Sequence, residues 1–123
     1  MPVTGLNHVN IRTMDIERSA AFYVEVFDLE FRQERLAMGR QSNWLFDRKG
    51  NPIIHLRLME AESSSTGPID HVALNCEGKT EILRRLEERK IKFSIFENAI
   101  PGMTQVFVVD PHGVALELSF AGE

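Results

Sequence analysis

The chain has 123 residues, 43% of them hydrophobic and 26% charged, with a net charge of −4. That length suits one domain, residues 1–123, with a sizeable core; the negative balance gives nucleic acid or an anionic membrane no electrostatic hold. No apolar run approaches the roughly 20 residues of a membrane span, Met1-Pro2-Val3-Thr4-Gly5 lacks the basic and apolar regions of a leader, and the lone Cys76 permits neither an intrachain disulfide nor a cysteine zinc cluster, so a cytoplasmic protein is expected.

Residues 6–12 alternate, with Leu6, His8, Asn10 and Arg12 on one side and Asn7, Val9 and Ile11 on the other, which reads as a half-buried strand. Asp15 can cap a helix over about 16–27, where Ile16, Ala20, Tyr23 and Phe27 recur at helical spacing. Strands are expected from Leu29, over Asn43 to Asp47, and over Ile53 to Met59, the last two joined by the turn Arg48-Lys49-Gly50-Asn51. His55 and Arg57 share one face of that last strand; Ile54, Leu56 and Leu58 share the other. Glu62 to Pro68 is polar, Ser-rich and aperiodic, a linker over about 61–68 between a module of about 1–60 and one of about 69–123.

The order then restarts. Ile69 to Asn75 reads as a strand, Thr80 can cap a helix to about Arg89, and strands follow over Lys92 to Ile95, Gln105 to Val109 and Val114 to Phe120. The tight turn Asp110-Pro111-His112-Gly113 precedes the last of these. Leu6-Asn7-His8-Val9-Asn10-Ile11 parallels Ile69-Asp70-His71-Val72-Ala73-Leu74, and the turn leading to His55 parallels the turn leading to Glu117. His8 and His55 therefore correspond to His71 and Glu117 at nearly equal separations. Each lies on the polar side of its strand. Three imidazoles and a carboxylate on repeat-related positions suit one divalent ion: Zn, Ni, Fe, Mn or Co. Trp44 fits either the ligand face or the core, His112 fits a solvated turn, and Cys76 reads as a small buried or half-buried residue without a nucleophile's partner.

Gly5-Leu6-Asn7-His8-Val9, Ala21 to Leu29, Asp70-His71-Val72-Ala73-Leu74 and Asp110 to Leu118, in that order, resemble the vicinal oxygen chelate superfamily of glyoxalase I, fosfomycin- and bleomycin-resistance proteins and extradiol dioxygenases. The resemblance implies an α+β fold of two tandem βαβββ modules, forming a cupped, partly open mixed sheet with helices on the outer face. It implies metal ligands at His8, His71 and Glu117, with His55 at the fourth position, where glyoxalase I usually carries glutamate or glutamine. His55 would ligate directly or act as a nearby base. It also implies a homodimer whose modules pair within or between chains.

Three functions follow. In the first, a metal-dependent lyase or isomerase of the glyoxalase I type takes a small substrate that chelates through adjacent oxygens and forms an enediolate-like intermediate. There His55 or Glu117 is the catalytic base, and Asn10, Arg12 and Arg57 contact substrate; Arg40 is a further candidate for holding an anion. In the second, an Fe(II) ring-cleaving dioxygenase uses the two-His-one-carboxylate set of His8, His71 and Glu117. In the third, a non-catalytic protein binds a drug or other small molecule. Glu34 to Ser42 and Glu97 to Thr104 are the segments expected to shape the pocket.

Overall fold

The computed structural model describes residues 2–39, 41–59 and 66–123. It divides into two compact units, Met1–Glu62 and Ser63–Glu123. The first contains β1 (Val9–Thr13), α1 (Ile16–Phe27), β2 (Glu30–Arg35), a short 3-10 turn (Ala37–Gly39), β3 (Gln41–Phe46) and β4 (Pro52–Leu58). The second contains β5 (Val72–Cys76), α2 (Lys79–Glu88), β6 (Ser94–Glu97), β7 (Met103–Val109) and β8 (Ala115–Ala121). The fold is thus α+β, a βαβββ order occurring twice. Each unit has a four-stranded mixed sheet, ordered β1-β4-β3-β2 and β5-β8-β7-β6. The first strand of each module runs parallel to the last, and the remaining pairs are antiparallel. Among the described residues no helix is long and apolar enough to cross a membrane.

Alternation along the strands creates two faces. Ile11, Leu45, Ile54 and Leu56 are buried with Ala20, Phe22, Tyr23 and Val26 of α1; Leu116, Leu118, Phe120, Val106 and Val108 are buried in the second unit, where α2 contributes Ile82 and Leu86. Leu58, expected inside, is 69% exposed at the end of β4. α1 begins where the sequence suggests: Asp15 accepts from the Arg18 backbone N–H at 3.0 Å, and Asp28, in the left-handed region, ends the helix. Behind this cap the Ser19 hydroxyl donates to buried Thr13 Oγ1 at 2.7 Å.

Several boundaries move. β1 starts at Val9, not at residue 6, because its parallel register would set Asn7 opposite Pro52, which has no N–H to extend the ladder. β5 likewise starts at Val72, since β8 begins only after the Asp110 turn. Thr80 is not the cap of α2. Gly78 occupies that position with φ +81°, and the Glu123 carboxylate accepts from the Gly78 and Lys79 N–H groups at 2.9–3.1 Å. β6 starts two residues late because the chain leaves α2 through Lys90 in the left-handed region, with Ile91 N–H bonded to the Leu86 carbonyl at 2.9 Å. Glu34 to Ser42 forms mostly the β2–β3 hairpin rather than a free loop. Residues 61–65 of the expected linker lie outside the described residues, as does Arg40.

The repeat is closest in its turns. Asp47 Oδ1 accepts from Lys49 and Asn51 N–H, and Asp110 Oδ1 accepts from His112 and Val114 N–H, all at 2.9–3.0 Å. Gly50 and Gly113 follow with φ +85° and +95°. Each carboxylate thus fixes the entry of the next strand, and with it the position of His55 or Glu117.

Candidate functional site

In the first unit, register sets Asn10, His55, Trp44 and Arg32 side by side across β1, β4, β3 and β2. These side chains alternate with buried residues and so project from the other face of the sheet. The His55 ring stacks flat on Trp44, with centroids 4.3 Å apart and planes at 6°. His8 meets the edge of the same indole at 4.8 Å, and its centroid lies 6.5 Å from that of His55. Asn7 Oδ1 is 2.7 Å from His8 Nδ1, and Asn10 Nδ2 is 3.1 Å from His55 Nδ1. Partial burial pushes His55 below the ordinary histidine value, and positive charge at His8 and Arg57 adds to this. Arg12 and Arg57 are register partners one step further along the same face, and among the described residues neither has a carboxylate partner.

In the second unit, His71 Nε2 stands 3.5 Å from Glu117 Oε1, and His71 Nδ1 is held at 2.8 Å by Asp70 Oδ1. The Asp70 hydrogen bond raises the His71 pKa above its ordinary value, with the charges of Asp70 and Glu117 helping against desolvation. The Ser119 hydroxyl donates to Glu117 Oε2 at 2.8 Å. Phe107 lies cross-strand from Glu117, as Trp44 does from His55, and packs edge-on to His71 at 6.0 Å.

These pairs can be tested against a metal. Two donors each about 2.1 Å from one ion stand roughly 3.0–3.5 Å apart at octahedral or tetrahedral angles, which His71 Nε2 and Glu117 Oε1 already satisfy. Two imidazoles sharing an ion through Nε2 place their centroids about 4.5–5.5 Å apart; His8 and His55, at 6.5 Å, are wider than that. Asn7 and Asp70 occupy Nδ1 and leave Nε2 outward, the usual arrangement around a ligating histidine. His55 differs. With Asn10 Nδ2 donating to its Nδ1, the neutral ring carries its proton on Nε2; with the amide reversed, Nε2 is bare. Among the described residues no group of three or more His, Cys, Asp or Glu side chains is placed to hold a metal ion. Each brings two donors.

The sequence reading missed Asn7, Asp70 and Ser119 as orienting partners, although the first two precede their histidines at equivalent points of the repeat. It left Trp44 undecided; the structure puts it on the histidine face. Cys76 is half-buried, its thiol pushed up to about 11 by desolvation first and by Glu123 second. His112 is also half-buried, and its Nε2 lacks a hydrogen-bond partner among the described residues.

Residues 5–118 match the family described as the Glyoxalase/Bleomycin resistance protein/Dioxygenase superfamily. The chain is 27% identical over 123 residues to Glyoxylase I 4 of Arabidopsis thaliana, covering 94% of this chain and 70% of that protein. Its fold is similar to that of a glyoxylase/bleomycin resistance protein/dioxygenase domain from Frankia sp. EAN1pec, with TM-score 0.76, 20% identity, and coverage of 97% and 93%. It is also similar to the fosfomycin resistance protein FosX of Listeria monocytogenes in complex with Mn(II) and dihydroxypropylphosphonic acid, with TM-score 0.72, 14% identity, and coverage of 98% and 94%. A family match over nearly the whole chain, on two βαβββ units that each carry a donor pair, means that this chain belongs to the glyoxalase/bleomycin resistance protein/dioxygenase superfamily.

Proposed function

We propose that this chain is a divalent-metal-dependent enzyme of the glyoxalase I type, a lyase or isomerase for a small substrate that chelates through adjacent oxygens. Its ligand set is His8, His55, His71 and Glu117, supplied within one chain or between the chains of a homodimer. The observation that carries this reading is the His71–Glu117 pair, spaced as two ligands of one ion and oriented from behind by Asp70 and Ser119. The name of the Arabidopsis relative supports the same class, and the Mn(II) complex of FosX supports a divalent ion.

When bound, the ion supplies a Lewis acid that stabilises negative charge developing on the substrate's adjacent oxygens. The chain's own residues bind, orient and move the proton. His55, whose pKa is pushed down by partial burial, serves as the base once it releases the ion, and a displaced Glu117 carboxylate is the alternative. Arg12, Arg57 and Asn10 hold the polar or anionic end of the substrate.

A second reading, an Fe(II) ring-cleaving dioxygenase, is favoured by one observation. If Asn10 keeps the His55 proton on Nε2, His55 leaves the ligand set and His8, His71 and Glu117 remain as two histidines and a carboxylate.

The deciding experiment is elemental analysis of protein purified without chelator or histidine tag, beside a His8→Ala/Glu117→Ala control. Near-stoichiometric zinc, nickel, cobalt or manganese, lost in the control, is the expected result. Iron with catechol-dependent oxygen uptake would move the assignment to the dioxygenase. No metal after reconstitution would refute both enzymes and leave a small-molecule binding protein.

A further inference from the structure

The metal-facing side of the first sheet continues past Trp44. Register places Ser42, Trp44 and Phe46 of β3 on that side, opposite Glu34, Arg32 and Glu30 of β2. Between them is a groove of about 190 Å³ lined by Arg32, Glu34, Ser42, Trp44, Phe46 and Pro52. His55 already covers one face of the indole, and the groove opens along the rest of it. Its floor is apolar and partly aromatic. Arg32 forms one wall: the guanidinium donates to both Glu30 carboxylate oxygens at 3.0–3.2 Å and lies 4.1 Å over the Phe46 ring. With that charge already paired, Arg32 presents a flat edge more than a free cation.

We infer that this groove is a subsite for a planar, apolar arm of the ligand, of about one six-membered ring, attached to the group that chelates at His8 and His55. An apolar cavity of roughly 150 Å³ accepts benzene, so the space suits one ring. The indole wall favours an aromatic or otherwise flat occupant, by offset stacking or edge contact, and Phe46 adds apolar surface beneath the Arg32 guanidinium. The neighbouring Arg12 and Arg57 row lies toward β1 and β4, on the other side of Trp44. The face therefore separates a polar, chelating half from an apolar half, with the indole between them. This inference rests on the metal-site reading above and adds the class of substituent.

The test compares two bidentate oxygen chelators, acetohydroxamate and benzohydroxamate, titrated calorimetrically into zinc-loaded protein. The expected result is at least about tenfold tighter binding of the aryl probe, the effect of taking much of a phenyl ring out of water. The aryl-to-methyl affinity ratio should fall toward one in Ser42→Phe, which fills the groove, and in Phe46→Ala, which removes its floor. A ratio near one in the parent, or one that both variants leave unchanged, would overturn the subsite while the metal reading stands. Failure of both probes to bind the zinc-loaded parent would overturn both.

Discussion

Replacing Asp70 by asparagine isolates one hydrogen bond behind the second donor pair. Asp70 Oδ1 lies 2.8 Å from His71 Nδ1 and is the leading cause of that ring's raised pKa. The amide would keep the shape and one acceptor oxygen but lose the charge. Orienting carboxylates behind ligating histidines are worth about 10- to 100-fold in metal affinity. The Asp70 side chain is 94% exposed and His71 38%, so water screens the interaction, and the low end, about tenfold, is the expected loss for Asp70→Asn. Two assays check it separately. NMR titration of the metal-free protein should show the His71 pKa falling toward 6.5, its ordinary value. Competition for Zn²⁺ against a chromophoric chelator should show the weaker affinity. An unchanged His71 pKa would refute the hydrogen bond. A lowered pKa with unchanged zinc affinity would refute His71 as a ligand.

Three further outcomes follow from other contacts. Asn10→Asp would make the group beside His55 Nδ1 a pure acceptor, hold the proton there and bare Nε2; tighter zinc binding in the same chelator competition is expected, and weaker binding would place His55 outside the ligand set. Glu123→Gln should destabilise the second unit by about 1 kcal/mol, a typical capping loss, because the Glu123 carboxylate holds the Gly78 and Lys79 N–H groups at the start of α2; the urea midpoint measures this, and no shift would refute the cap. With its thiol near 11 rather than 9.0, Cys76 should react with iodoacetamide at pH 8 about a hundredfold more slowly than in the unfolded chain, and equal rates would refute its desolvation.

The repeated βαβββ order was legible because strict alternation and helical spacing are local properties. α1 falls where Asp15, the apolar spacing and Asp28 put it. The elements that moved depend on distant partners. Thr80 was the local choice of cap, but Glu123 reaches α2 from the far end of the second unit. The start of β1 depends on Pro52, an inter-strand fact that alternation within residues 6–12 does not contain. Among the site residues, the repeat exposed the donor types, and cross-strand register decided their environment. That is why Trp44 could be named but not placed: its stacking on His55 follows from β3–β4 pairing, which the sequence states only through the turn at Asp47.

The two units share a backbone plan and diverge in side-chain chemistry at equivalent register positions. Asn10, Trp44, His55 and Arg57 in the first correspond to Ala73, Phe107, Glu117 and Ser119 in the second. Two copies of the first would offer imidazoles and arginines only; two copies of the second would set a pair of carboxylates on one ion. The divergence gives the proposed ligand set a single carboxylate, so a divalent ion with three neutral imidazoles keeps one net positive charge. An ion in that state still attracts an anionic chelator, and Arg12 and Arg57 add to the attraction from the same face. Glu117 is meanwhile the less exposed partner of its pair, at 14%, and a half-buried carboxylate needs a cation more than a surface one does. The Ser119 hydroxyl satisfies one of its oxygens and His71 faces the other. In the proposed site the second unit would supply the carboxylate and the first the arginines that meet the substrate, a difference that rests on side-chain replacements within one repeated scaffold.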